Sequence, residues 1–190
     1  MARKLIAADD QLVAKLMAIS NQEGKTFYAF VNDIFQEILR IRGLGRTLQE
    51  IVEFYELMQT QKISGAVFIP MEALDHISSK LSKEEKSKLG DLWYGAGQWY
   101  GKYLASRFPN ETLEALGRLL ALSRGELTEV QIVNEDPVRV RCASPLISMD
   151  YTFLLKRYVE GAVNSLGYET TRDEYMKGLI LLEFRKKQDR

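Results

Sequence analysis

Two amphipathic helix patterns are crowded into the first 46 residues, a segment too short to bury both. Asp9-Asp10 supplies N-cap residues, and Leu12, Val13, Leu16, Met17 and Ile19 then recur at a helical period until Gly24. Thr26 is the next cap. Behind it Phe27, Phe30, Val31, Ile34, Phe35, Ile38 and Leu39 hold an apolar stripe that Gly43 and Gly45 stop. Arg3 to Ala8, upstream, reads as a short extended strand. Segments of about forty residues rarely close a core without staples or a second copy. A lone strand also leaves its amides and carbonyls unpaired. Both needs are met if two copies pair, so a homodimer or higher homo-oligomer is expected.

Bulk composition excludes more than it proposes. The chain has 190 residues with 26 basic and 26 acidic side chains, so no global field attracts nucleic acid. A hydrophobic share of 46% is that of a folded protein. The single cysteine, Cys142, excludes an internal disulfide framework, and with one histidine, His76, the soft-ligand zinc sites cannot be built. No apolar run is long enough to span a bilayer, and the N-terminus lacks a signal-peptide core. A cytoplasmic protein without membrane partners is expected.

Beyond residue 46 the patterns alternate between helix and strand. Thr47 and Glu50 have capping-box spacing, as do Ser82 and Glu85, which open a long helix towards Phe108. Ile63 to Ile69 reads as a short strand, and Pro70 suits the first turn of a helix through Leu81. A further helix runs through Ala121. Leu127 to Val133 and Val138 to Cys142 read as a hairpin around Asn134-Glu135-Asp136-Pro137. Ser148 to Leu166 reads as a helix closed by Gly167, and Tyr175 to Phe184 as one final strand. The domain scheme is therefore residues 1–46 for dimerisation, 47–62 as a connecting helix, and 63–190 as an α+β domain with a small antiparallel sheet packed on helices.

Residues 3 to about 42, above all Glu23-Gly24-Lys25-Thr26 before the apolar helix, resemble the ribbon-helix-helix family of the Arc, MetJ and CopG repressors. The resemblance implies an intertwined dimer whose paired strands enter the major groove of double-stranded DNA. It places Arg3, Leu5 and Ala7 on the reading face and Lys25, Thr26 and Phe27 at a phosphate-binding helix start. Leu5 and Ala7 depart from the polar residues usual in the family. The segment carries a surplus of only two basic side chains over residues 1–46. A transcriptional regulator is the expected function. The alternatives are a protein–protein scaffold that uses the module for assembly only, and a small-molecule-binding protein. In the plainer reading Arg3 is solvated and Lys25-Thr26 is only a cap.

The second half carries Val67-Phe68-Ile69-Pro70, then Leu92-Trp93-Tyr94-Gly95-Ala96-Gly97-Gln98-Trp99-Tyr100-Gly101, and closes with Gly178-Leu179-Ile180-Leu181. With these features residues 66 to 187 resemble the vinyl reductase-type small-molecule-binding domain. The resemblance implies a sensor domain for a small-molecule effector. The cysteine-rich metal ligands of some members are missing, so no metal is carried over. Gly95, Gly97 and Gly101 inside a helix each cost about 1 kcal/mol against alanine. Close helix packing would compensate them, or a pocket made by the missing side chains. Trp93, Tyr94, Trp99 and Tyr100 are the candidate ligand-binding residues, with ordinary core packing as the alternative. His76 reads as a surface residue and Cys142 as buried and inert. No phosphate loop, nucleophile elbow or triad is visible, so no catalytic residue and no cofactor is expected.

Overall fold

The computed structural model describes residues 5–63, 66–67, 69–123 and 126–187. Its elements are α1 (Asp10–Gln22), α2 (Phe27–Gly43), α3 (Leu48–Ile63), α4 (Met71–Ser79), α5 (Lys83–Arg107), α6 (Thr112–Ser123), β1 (Glu129–Val133), β2 (Val138–Ala143), α7 (Met149–Asn164), β3 (Tyr168–Met176) and β4 (Leu179–Lys186). The chain divides into two compact units, Met1–Glu56 and Leu57–Arg190, and the division falls inside α3.

The first unit is helical from Asp10 onward. The amides of Gln11 and Leu12 donate to Asp9 Oδ1 at 2.9 and 3.1 Å, which satisfies two open donors of α1. Gly24, at φ +67°, ends α1 in a Schellman turn, with the Lys25 amide donating to the Ser20 carbonyl at 2.9 Å. Thr26 caps α2 through the Ala29 amide at 3.2 Å. Gly45 repeats the Schellman device at the end of α2. Thr47 and Glu50 close the capping box of α3, and the Thr47 amide holds the Glu50 carboxyl below its ordinary value.

This architecture corrects the expected ribbon-helix-helix start. Leu5 to Asp9 carry no strand, while Arg3 and Lys4 lie outside the described residues. Leu5, Ile6, Ala7 and Ala8 are all exposed. The alternation that suggested a strand is six residues long and ends in two alanines, which have little β preference. Nothing described in the chain offers the segment a ladder.

The second unit is built around α7. Eleven of its residues, from Tyr151 to Val163, are buried, so the helix is enclosed nearly all round. The α5 helix packs on one side of it and the sheet strands β3 and β4 on another. All pairs in the sheet are antiparallel, in the order β1-β2-β4-β3. Its inner face is made by the cross-strand pairs Val138–Phe184, Val140–Leu182 and Cys142–Ile180, every one of them buried. The exposed edge strand β3 carries Glu169, Arg172, Asp173 and Glu174, charges that discourage further pairing.

Two strand expectations in this unit are corrected. Ile63 is the last residue of α3, and Ala66, Val67 and Ile69 lie outside any strand. Phe68 is outside the described residues. These apolar side chains face a cavity instead of a sheet, and Pro70 after them serves as N-cap of α4. The single strand expected over Tyr175 to Phe184 is two strands. Lys177-Gly178 turns the chain, and Gly178 adopts φ +77° with a Cβ position only 2.1 Å from the Ser144 carbonyl.

Backbone proximity joins α5 to α7. A Cβ at Gly97 would stand 2.0 Å from the Tyr158 carbonyl oxygen, and one at Gly101 2.3 Å from that of Ala162. The contact is reciprocal, since a Cβ at Gly161 would stand 2.1 Å from the Tyr94 carbonyl. Gly95 faces open space. Gly97→Ala is therefore expected to destabilise the full chain by about 2 kcal/mol or more through overpacking. Gly95→Ala is expected to stabilise it by about 1 kcal/mol, the helix-propensity difference. Denaturant unfolding read by circular dichroism checks both, and a neutral Gly97→Ala would deny the backbone contact.

Burial pushes the Cys142 thiol up to about 12 from its ordinary value. As pH rises the unfolded chain ionises this thiol first. Its contribution to stability is whole below the unfolded value and fades from there to about pH 12. At pH 8 a thiol reagent should leave the native chain unlabelled and label it in denaturant; rapid labelling without denaturant would contradict the burial.

Candidate functional site

A cavity of about 740 Å³ opens in the second unit, a size typical of small-molecule sites. Its walls come from the last turn of α3, the segment before α4, the start of α4, and one face each of α5 and α7. Along α5, Leu89, Leu92, Trp93, Ala96, Trp99 and Tyr100 line it, spaced by three or four residues as one helix face requires. From α7 come Tyr151 and Tyr158, two turns apart. The close approach at Gly97 and Gly161 brings these two aromatic faces together.

The aromatic rings support one another edge to face. Trp93 meets Tyr151 at 5.6 Å between centroids and 88° between planes, and Tyr158 at 6.5 Å and 78°. Tyr100 lies 6.2 Å from Tyr158. Tyr100, Tyr151 and Tyr158 are buried and Trp93 half-buried, so they form the floor. Ile63, Val67, Ile69, Leu92 and Trp99 are exposed and form the mouth. Trp99 is held there by stacking on Tyr103, 5.7 Å away and nearly parallel. Tyr103 in turn shares a 2.8 Å hydrogen bond with Thr60, which ties the end of α3 to α5.

The lining is mostly apolar and aromatic. Glu126 is the single charged side chain among the described residues that line it, and its carboxylate accepts the Tyr151 hydroxyl. Gln61 adds an amide. The arrangement suits an apolar guest with one hydrogen-bond donor or positive charge directed at Glu126.

Of the four candidate ligand residues, Trp93, Trp99 and Tyr100 line the cavity. Tyr94 is turned away. Its ring lies under the Arg157 guanidinium at 4.5 Å, and its hydroxyl accepts from Asn164 Nδ2 at 3.2 Å. Tyr151 and Tyr158, like Phe153, read from the sequence as core packing with a pocket as the alternative, and Glu126 and Gln61 carry no such signal. The seven-residue spacing of Tyr151 and Tyr158 places them on one helix face, a signal that existed. Nothing local marks Glu126, which enters the site from the chain leading into β1.

The residues expected to touch DNA are not gathered into a site. Arg3 lies outside the described residues, and Leu5 and Ala7 are exposed on irregular backbone. Lys25 donates to Asp33 at 3.0 Å and stands 3.2 Å from Glu23, so its charge is matched locally. Thr26 is engaged as a cap and Phe27 begins α2, half-buried.

A second polar cluster lies on another side of α7. Lys156, 5% exposed, donates to Asp173 at 2.5 Å and stands 4.0 Å from Glu160. Arg157 bridges Glu160 at 2.8 Å and Asp91 at 3.0 Å, and Thr170 donates to Glu160 at 3.2 Å. Each of these charges has an opposite partner, so the cluster stitches α7 to α5 and β3. His76 is exposed on α4. Among the described residues no helix is long and apolar enough to cross a membrane. Compared with family models, curated proteins and solved structures, the chain matches none.

Proposed function

We propose that the second unit is a binding domain for a small, largely apolar molecule that carries one hydrogen-bond-donating head. The observation that carries this reading is the aromatic floor of Trp93, Tyr100, Tyr151 and Tyr158 with the Glu126 carboxylate beside it. An apolar cavity with one charged acceptor orients a guest through that acceptor and gains its affinity from the area covered. The exposed apolar rim continues the same surface outward, where a guest would remove it from water. The resemblance of residues 66 to 187 to the vinyl reductase-type domain supports the same class of ligand.

The test uses 4-hexylphenol and hexylbenzene, which share a shape but differ in the hydroxyl. Addition of 4-hexylphenol to the full chain should change tryptophan emission and raise the thermal midpoint. Hexylbenzene should bind more weakly. Glu126→Gln should weaken 4-hexylphenol by about tenfold, the worth of a hydrogen bond to a charged acceptor, and leave hexylbenzene unchanged. Ala96→Trp, which fills the cavity from α5, should abolish both responses. The reading fails if neither probe binds at millimolar concentration, or if Ala96→Trp binds as the native chain does.

A further inference from the structure

Glu126, half-buried in the cavity wall, lacks a counter-charge. Its Oε1 accepts the Tyr151 hydroxyl. Among the described residues Oε2 receives no donor, and no cationic side chain forms an ion pair with either oxygen. Other charges of this unit are matched. Lys86 meets Asp150 at 2.7 Å, Lys156 meets Asp173, and Arg157 meets both Glu160 and Asp91. No lysine, arginine or histidine is among the described residues that line the cavity. Solvent stabilises the Glu126 charge as long as the side chain stays partly exposed. A guest that fills the cavity takes that solvent away, and the charge must then be met by a group that the guest brings.

We propose that the guest is an ammonium compound, with an apolar aryl or alkyl body among the rings and a protonated amine paired with Glu126. This rests on the reading of the cavity as a binding site and narrows the head from any donor to a cation. A neutral hydroxyl would supply one donor and leave the carboxylate charge enclosed by apolar walls, which is costly. A protonated amine supplies N–H groups to the open Oε2 and cancels the charge, in a hydrogen bond charged on both sides. The walls favour the same head. Trp93, Trp99, Tyr100, Tyr151 and Tyr158 bring five indole or phenol rings, and the faces of such rings attract cations. An anionic head meets the opposite case. It would confront Glu126 with nothing positive among the described lining residues to offset the repulsion. The cavity thus selects the sign of a charge at Glu126 and apolar bulk at the rings.

Calorimetric titration of the full chain at neutral pH tests this with probes that share one phenyl-tetramethylene body: 4-phenylbutylammonium, 4-phenylbutan-1-ol and 5-phenylpentanoate. The ammonium should bind about tenfold more tightly than the alcohol, and the carboxylate should not bind at millimolar concentration. Ala96→Trp should abolish ammonium binding, which locates it in the cavity. Glu126→Gln should weaken the ammonium by about a hundredfold and the alcohol by about tenfold, so that the preference between them vanishes. The ranking on the native chain needs no variant. An alcohol that binds as tightly as the ammonium, or a carboxylate that binds at all, overturns the cationic head and leaves the cavity a binding site. Binding of 4-hexylphenol without the ammonium does the same, as does an ammonium preference that persists in Glu126→Gln. If neither 4-hexylphenol nor any of these probes binds the native chain, the binding reading falls together with this one.

Discussion

Backbone contact between α5 and α7 sets the geometry of the second unit. Helices normally keep apart by the thickness of their side chains, with axes 8–10 Å apart. At Gly97, Gly101 and Gly161 that spacing layer is missing, and carbonyl oxygens of one helix occupy the place of a Cβ on the other. The helix-propensity cost of these glycines is offset by dispersion contacts along the line of approach. Once the axes are fixed, the aromatic side chains flanking the glycines have few places to go. Trp93 and Tyr100 from α5 and Tyr151 and Tyr158 from α7 converge beside the contact, and the edge-to-face pairing of Trp93 with both α7 tyrosines, with Tyr100 tilted against Tyr158, holds the cavity floor.

The opposite sides of α7 solve different problems with different chemistry. Towards the cavity it presents tyrosines whose rings are apolar and whose hydroxyls can reach a partner, as Tyr151 does at Glu126. Towards β3 it presents Lys156 and Glu160, buried charges made tolerable by Asp173, Arg157 and Thr170. Removing one partner there would strand a charge in a low-dielectric setting. The cluster is closed, whereas the Glu126 carboxylate borders open space. That difference separates a stitch from a candidate recognition group.

The two units have unequal cores. The second closes its own around Leu116, Leu120, Leu155, Val159, Leu182 and Phe184, all essentially free of water. The first has α1, α2 and the start of α3, each well capped, and little to pack between them. Its caps, Asp9, Thr26 and the Thr47–Glu50 box, are worth about 1 kcal/mol each, which shapes helix ends but does not fold a unit. Apolar area must supply the remainder, and on α2 that area faces outward.

Local chemistry was legible in the residues alone. Caps and Schellman turns act over three to five residues, so Ser82 with Glu85, Gly24 and the turn from Asn134 to Pro137 could be read directly. The close approach of Gly97 and Gly101 was foreseeable as a need, because a glycine in a helix interior requires a neighbour to justify it. Gly95 shows the limit, since it has the same sequence setting and no neighbour. The apolar run Ile63 to Ile69 resembled a strand because hydrophobicity alone does not say whether a side chain meets a sheet or a cavity wall. Tyr168 to Met176 was missed because an edge strand can be polar on both faces when only its backbone is needed. Tyr94 could not be separated from Trp93 without knowing which side of α5 faces α7. Composition, capping and periodicity determined where helices begin and end, that no internal disulfide forms, and that the N-terminal helices are too apolar for their length. Only tertiary structure decided which aromatics share a cavity and that Glu126 joins them, because those outcomes depend on the placement of segments distant in the chain, which no local pattern encodes.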